Sequence, residues 1–503
     1  MITRREFVKD GLAALGFLAL PGGLFAPLLG HPLRGQPSAG GYAPADWKPA
    51  KKPNLVLGVL SDTHLQVGWD GTSVHKLFPH TYVRNAMKLF KKRNIDAFVH
   101  LGDAAHRGIT RELEFHRELF EEAFGTRGGP VKLFIVGNHE WYGEAFKGGG
   151  GVTAAGLWKD PVERAKHTLC ADMPRRWEQV WGEKYEEVWH KEVKGYHFFG
   201  RHWHEDEYKH AGEKPFADYI LSKADQFSLR GTKPFFILSH RRHHAAFCQA
   251  LKDFPNAIAL FGHWHWSNAD WKTIFFDADT FGGRFPNIQV GACRMDGGNA
   301  VTPPSEVKLP EDSSSWKGDN LPSRQAMIIN IYDDMVVFER HEVGKGGKLG
   351  PDWMLPLGEF KPHPFSRDEL KKVVGEPEFG KKAKLVVAKG TQATKATKGT
   401  KKGDSVASVP SLKIKIPMAD GNPDSRVYAY EIVVVGDDPK AKLFKNAFFE
   451  GANAGIGHEP NHGVTEVEIP VSELPPGKKL TIDVSPCSSL GTKGKAVATT
   501  WRV

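Results

Sequence analysis

Cysteine is scarce in this chain: four in 503 residues, Cys170, Cys248, Cys293 and Cys487, widely spaced and with no Cys-x-x-Cys pair. That spacing excludes a zinc ribbon and a disulfide-stapled scaffold. None precedes residue 170, so a lipid-anchoring cysteine near the start is excluded too. Long apolar runs are missing after Gly30, and no later stretch is apolar enough to span a bilayer. Acidic residues are absent from one segment, Lys381 to Gly403, which holds eight lysines. The formal net charge of +9 therefore sits almost wholly there, and the rest of the chain is near neutral. A Lys/Thr/Gly/Ala tract of this kind reads as a solvated linker or loop, so specific nucleic-acid binding is not expected.

What is present is enough apolar sequence, 40%, for sizeable cores in two or three folded units. The N-terminus has a basic start followed by a moderately apolar run from Gly11 to Gly30, the layout of a signal peptide. Within it, Thr3-Arg4-Arg5-Glu6-Phe7-Val8-Lys9 resembles the twin-arginine export signal, which implies a periplasmic or secreted protein delivered already folded. Ala43-Pro44-Ala45 is a candidate cleavage point, and an uncleaved anchor is the competing reading.

Alternation governs the next three hundred residues. Short apolar runs at Asn54–Leu60, Asp96–Leu101, Lys132–Val136, Pro234–Leu238 and Ala257–Phe261 read as buried strands. Helical spacing over Thr81–Lys92 and Thr110–Phe124 separates the first three, which makes the region α/β. Later segments, "KTIFFD", "NIQVGAC" and "AMIINIYDDMVVFERHEV", read as a strand series ending in a hairpin across Asp333-Asp334, implying a second, antiparallel-leaning sheet. Beyond about Gly380 come short β-type runs broken by Pro and Gly, the texture of an all-β sandwich. "LPPGKKLTIDVSP" resembles the closing strands of fibronectin type III and immunoglobulin-like modules. "KLVVA", Lys384–Ala388, is a candidate first strand. The expected division is a leader over 1–45, an α/β domain over 46–360, a connecting segment over 361–403, and a β-sandwich over 404–503 that could begin near 381.

The chemistry stands at the strand ends. Asp62-Thr63-His64, Gly102-Asp103, Gly137-Asn138-His139-Glu140, Ser239-His240 and Gly262-His263-Trp264-His265 each directly follow one of the five α/β strands. In α/β sheets that carboxyl edge is where sites assemble. Any one such residue alone is a turn or cap; five in the same context, all Asp, Asn or His, point to a metal centre. These donors suit borderline divalent or trivalent ions, with a carboxylate able to bridge two of them.

The ordered set D-x-H, G-D, G-N-H-E, H, G-H-x-H resembles the calcineurin-like metallophosphoesterase superfamily over roughly residues 54–345. The resemblance implies a two-sheet β core flanked by helices and two metal ions, iron, manganese or zinc. It places Asp62, His64 and His265 on the first metal, Asn138, His240 and His263 on the second, and Asp103 between them. It also implies hydrolysis of a phosphomonoester or phosphodiester by a hydroxide bridging the two metals, with His139 beside the site as general acid. The family pattern G-D-x-x-D-R-G appears here as Gly102-Asp103-Ala104-Ala105-His106-Arg107-Gly108. His106 thus replaces an acid that usually supports His139, and Arg107 is a candidate phosphate clamp. The purple acid phosphatase branch, with a tyrosine in place of His106 and no first-motif histidine, does not fit. A related exported nucleotidase branch is disfavoured by "VGNHEWYGE". A non-catalytic, metal-stabilised envelope scaffold is the alternative from a different class.

Other histidine-rich stretches read as bystanders. "HWHEDEYKH", His202–His210, lacks partner motifs and is a polar turn or substrate-side loop. Trp264 and Trp266 pack, Glu140 supports a ligand or His139, and Arg241 and Arg242 start a surface helix or face an anionic substrate. Gly148–Gly151 is a flexible loop. Substrate selectivity belongs to the insertion from about Trp141 to Gly231.

Overall fold

A computed structural model describes residues 47–65, 80–106, 108, 110–141, 173–203, 212–265, 268, 271–276, 284–293, 324–344, 346–358, 362–393, 408–420, 427–448, 464–488 and 490–502. The leader, Cys170, Arg107, Gly148–Gly151, Trp266 and most of the His202–His210 stretch lie outside the described residues.

The α/β region is built on two six-stranded sheets. The first holds β1 (Leu55–Leu60), β2 (Ala97–Leu101), β3 (Val131–Ile135), β10 (Gln325–Ile331), β11 (Met335–Glu342) and β12 (Trp353–Pro356), in the order β12-β11-β10-β1-β2-β3. The second holds β4 (Val188–Val193), β5 (Tyr196–Arg201), β6 (Phe235–Leu238), β7 (Ala257–Phe261), β8 (Ile274–Phe275) and β9 (Asn287–Gln289), in the order β4-β5-β6-β7-β9-β8. β1, β2 and β3 run parallel, as do β5, β6, β7 and β9.

Side-chain alternation assigns the layers, because successive residues of a strand face opposite sides of its sheet. Leu55, Leu57 and Val59 of β1 and Val99 of β2 meet Phe236 and Leu238 of β6 and Ile258 and Leu260 of β7 in a core between the sheets. Phe98 and Phe134, pointing the other way, pack against α1 (His80–Arg93), α2 (Thr110–Phe124) and α3 (Met173–Trp181). Phe235, Ile237 and Ala259 pack against α4 (Glu213–Lys223) and α5 (Ala245–Ala250). The order is helix, sheet, sheet, helix.

The strands after β7 do not form a second antiparallel sheet of their own. β10 pairs antiparallel with β1 and carries β11 and β12 outward with it, while β8 and β9 extend the other sheet beyond β7. All seven residues of β10 are buried, and a strand buried on both faces belongs inside a covered sheet, not at a solvated edge. The insertion after His139 is itself partly β: its β4–β5 hairpin pairs β5 with β6.

The chain then forms α6 (Arg367–Val374), β13 (Glu378–Phe379) and an all-antiparallel region. There β14 (Val386–Ala393), β15 (Ser408–Pro417) and β19 (Val464–Pro470) form one sheet, and β17 (Val427–Val435), β18 (Lys442–Phe448), β20 (Lys479–Ser488) and β21 (Val497–Arg502) another. β16 (Ala419–Asp420) pairs with β13. Leu412, Ile414 and Ile416 face Tyr430, Ile432, Val434, Ile482 and Val484 across the core between the two larger sheets. Leu490 packs with Phe365, Leu370 and Val374 in the inter-sheet core of the α/β region, and the Thr492 hydroxyl donates to Gly375 O at 2.6 Å, so α6 joins the two regions. Cys248, Cys293 and Cys487 are buried free thiols. Among the described residues no helix is long and apolar enough to cross a membrane.

Gly58 marks where β1 takes α1 onto its back. A Cβ there would meet Phe90 at 2.7 Å and Ile95 at 2.9 Å, inside any tolerated contact. Gly58→Ala is expected to destabilise the α/β domain by roughly 1–3 kcal/mol through overpacking, read as a lowered denaturant midpoint; an unchanged midpoint would show that α1 shifts without cost.

Candidate metal centre

The five strand ends meet at one point between the sheets. Asp62 and His64 leave β1, Asp103 leaves β2 and Asn138 leaves β3, all on the first sheet; His240 leaves β6 and His263 and His265 leave β7, on the second. Asp62, His64, Asp103, His263 and His265 all have positive φ, between 43° and 69°. Non-glycine residues seldom adopt this left-handed backbone, and where they do the surroundings must hold them. Here the holding bonds run between loops. The Asp62 N–H donates to Gly102 O at 3.0 Å and the His64 N–H to Asp103 O at 2.8 Å. Gly262 has no room for a side chain, since a Cβ would stand 1.8 Å from Ser61 Oγ and 2.5 Å from Asp62 Oδ2.

Each carboxylate divides its two oxygens between holding and facing. Asp62 Oδ2 accepts from the Ser61 hydroxyl (2.6 Å) and the His263 N–H (2.9 Å). Its Oδ1 is left facing His265 Nε2 at 3.1 Å and His64 Nε2 at 3.9 Å. Asp103 Oδ1 accepts the His139 N–H at 2.9 Å, while Oδ2 lies 3.2 Å from His240 Nε2, 3.7 Å from His64 Nε2 and 3.9 Å from His139 Nε2. Asn138 Oδ1 stands 3.0 Å from His240 Nε2 and 3.1 Å from His263 Nδ1. His240 donates its other nitrogen, Nδ1, to Leu101 O at 2.6 Å, which aims Nε2 inward.

Two overlapping donor clusters result: Asp62, His64, Asp103 and His265, and Asp103, His240 and His263, with Asn138 beside the second. The donor chemistry fits a cation in each. Imidazole nitrogens face one another at 3.1 Å for His64 and His265 and 3.2 Å for His240 and His263, an arrangement that needs a shared proton or a metal between lone pairs.

Electrostatics agree with that reading. Burial, reinforced by His139, holds His64 well below the ordinary imidazole range, and burial with His240 puts His263 at about 3, so both rings are held neutral. Burial opposes charge on Asp103, but His240, His139 and His64 outweigh it and keep this carboxyl well below the usual range. Burial opposes the His240 cation as well, yet Asp103 raises it to about 9. A metal at that cluster would displace the His240 proton, since ligands bind deprotonated.

The surrounding shell contains residues of which the sequence carries only partial signals. Glu140 is 1% exposed and accepts three backbone N–H groups: Asp103 (2.9 Å) and Gly137 (2.6 Å) on Oε2, and Ala105 (2.9 Å) on Oε1. Burial and the nearby Asp103 push it up to about 7 against those hydrogen bonds. Buried Arg176 donates to Gly108 O and, at 3.1 Å, to Glu140 O, tying α3 to the loops after β2 and β3. Nothing in the sequence marks Arg176 for this.

His139 is half-buried, and its Nδ1–H donates to His106 O at 2.5 Å. The backbone of His106 thus orients His139, at the position where the family pattern carries an acid.

Of the two His-Trp-His copies, "GHWHWS" supplies His263 and His265 to the clusters. In the other, His202 serves as a clip: its Nδ1 accepts the Val136 N–H at 3.0 Å, and the Trp203 N–H donates to Val136 O at 2.8 Å. Trp203 itself walls the centre, 5.8 Å from His240 and 5.6 Å from His263 by ring centroids. Trp264 packs on Phe261 and Phe275, Arg242 stacks on Phe275, and Arg241 lies over Trp203. His243 is buried against Phe247, away from the clusters.

Residues 55–267 match the sequence profile of the calcineurin-like phosphoesterases. No curated protein matches the chain significantly. Similar solved structures include a dimetal phosphatase from Danio rerio (12% identity, 61% of this chain and 100% of that one, TM-score 0.34). Others are a purple acid phosphatase from yellow lupin, Lupinus luteus (12%, 61% and 55%, TM-score 0.36), and Vacuolar Protein Sorting 29 from Cryptosporidium parvum (9%, 60% and 98%, TM-score 0.27). The profile match gives residues 55–267 a calcineurin-like metallophosphoesterase fold, and the buried clusters give it the donors of a dinuclear, metal-dependent hydrolase.

Removing the Glu140 carboxylate would orphan three buried N–H groups, each costing about 1–3 kcal/mol if no water replaces it. Glu140→Ala is therefore expected to lower the unfolding midpoint and to lose metal on dialysis, measured by elemental analysis. Full metal retention at unchanged stability would show that the three groups repartner.

Proposed function

We propose that the chain is an exported two-metal phosphoesterase acting on a phosphomonoester or phosphodiester. The observation that carries this is Asp103 Oδ2, one oxygen lying between two donor sets. In this reading Asp62, His64 and His265 hold the first metal, Asn138, His240 and His263 the second, and Asp103 both. Mixed nitrogen and oxygen donors suit iron, manganese or zinc. Two such ions, when bound, supply a nucleophilic water near neutral pH and neutralise phosphoryl oxygens.

The chain's own residues do the rest. With Nδ1 tied to His106 O, His139 turns Nε2 toward the centre, 3.9 Å from Asp103 Oδ2. It is placed to protonate the departing alkoxide oxygen. Trp203 covers the centre on the His240 and His263 side. Arg107 is assigned as a phosphate clamp on sequence grounds alone.

Export rests on the Arg4-Arg5 leader. A fibronectin- or immunoglobulin-like module, preceded by a catalytic unit over 46–360, is supported by the strand order β14-β15-β19 against β18-β17-β20-β21, a two-sheet sandwich of seven strands.

Two experiments test the reading. Loss of a group that merely orients a ligand costs ten- to 100-fold, so Asp103→Asn should reduce turnover of phosphate esters by at least ~10²-fold, with chelation abolishing activity and added metal restoring it. Wild-type turnover in Asp103→Asn, or activity indifferent to chelation, would overturn the two-metal assignment. Separately, replacing Arg4 and Arg5 by lysine should hold the protein in the cytoplasm on fractionation; unchanged export would remove the twin-arginine route.

A further inference from the structure

Beside the two clusters lies a third set of donors that the two-metal reading does not use as a set. Single ring nitrogens of His64, His106 and His139 lie within 4.8 Å of one another. The rings of His106 and His139 stack at 5.3 Å and 28°, and His139 meets His64 edge to face at 4.4 Å. His64 is buried, while His106 and His139 are half-buried, so the set opens from the centre toward solvent. His64 also keeps Nδ1 buried with no hydrogen-bond partner, although its Nε2 faces the first cluster; with Nε2 on the first metal, Nδ1 can take a further cation only by giving up its ring proton to solvent, so filling the set releases one proton.

We propose that His64, His106 and His139 form an ancillary cation site, selective for zinc-like ions, whose occupation inhibits the enzyme by taking His139 out of use. The selectivity follows from the donors. Both main clusters contain carboxylates, which suit manganese as well as zinc; three imidazoles with no carboxylate of their own favour zinc, copper or nickel over manganese, magnesium or calcium. Zinc–nitrogen bonds of about 2.0–2.1 Å require the three nitrogens to draw closer, a shift that the half-buried His106 and His139 rings would have to make. Inhibition follows from the position of His139: a ring nitrogen bound to a cation cannot deliver a proton. This consequence rests on the role given to His139 above, whereas the binding site itself does not.

The test is a zinc titration of metal-stripped full-length protein against a chromophoric chelator, alongside His106→Phe. Phenylalanine keeps the ring stack and the backbone carbonyl that orients His139 while removing both ring nitrogens. Wild type should take up two tight equivalents and a third at least tenfold weaker, and His106→Phe only two. Manganese should fill two equivalents in both proteins. With p-nitrophenyl phosphate as substrate, zinc should inhibit wild type as the third equivalent binds, and the half-inhibiting concentration should rise at least tenfold in His106→Phe.

Several results would overturn the site: saturation of wild type at two zinc equivalents, an undiminished third equivalent in His106→Phe, or loss of all metal from that variant. Loss of the third equivalent without any change in inhibition would overturn the regulatory part alone. Stoichiometry is read without substrate, so a protein that hydrolyses no phosphate ester but loses its third zinc in His106→Phe would sink the phosphoesterase reading and leave the site standing.

Discussion

Asp103 sits where two sheets come together, and most of what surrounds it can be understood as keeping one carboxylate ionised and immobile in a buried place. Bringing an anion out of water is costly unless charge and hydrogen bonds replace the hydration. Three imidazoles stand around its Oδ2, the His139 N–H closes Oδ1, and Glu140 clamps the backbone from behind. The clamp depends in turn on Arg176 and α3. The inner ring is carboxylate and imidazole and the outer ring is backbone held by side chains, so disturbance in the outer ring reaches the inner one through the loops and not through direct contact.

Much of this was legible in the sequence, for a specific reason. A buried parallel strand is a short apolar run, and the residue just past its carboxyl end has nowhere to go but the sheet edge. Asp62, His64, Asp103, Asn138, His240, His263 and His265 could therefore be gathered in one place from their context alone, and the structure brings them within a few ångströms of each other. The α/β core followed by an antiparallel region was legible from the change of texture near Gly380. The partnership of strands was not. Local periodicity says that β10 is buried but not that it lies against β1, because pairing is decided by which edge is left open.

The contacts that sequence reasoning missed share a property: they run through backbone atoms of distant segments. His202 satisfies Val136, Arg176 satisfies Gly108, and the carbonyl of His106 orients His139. No residue type announces such a partner, since any donor of the right reach would serve. The two His-Trp-His copies make the contrast plain. In one, both histidines stand on left-handed backbone at the end of a buried strand; in the other, the described histidine stands in for a neighbouring strand.

Neither donor cluster belongs to one sheet. The first draws Asp62, His64 and Asp103 from one side of the seam and His265 from the other, and the second divides likewise. Asp62 and His265, whose facing atoms are 3.1 Å apart, are separated by 203 positions along the chain. During synthesis, then, a nascent polypeptide carries most of its donors long before it has a place for an ion. Closure waits for β7 to emerge and for a long loop to be shut, the slow kind of step in folding. Capture of an ion by the complete donor set would thereby come late in the assembly of the domain, beyond the reach of an incomplete chain.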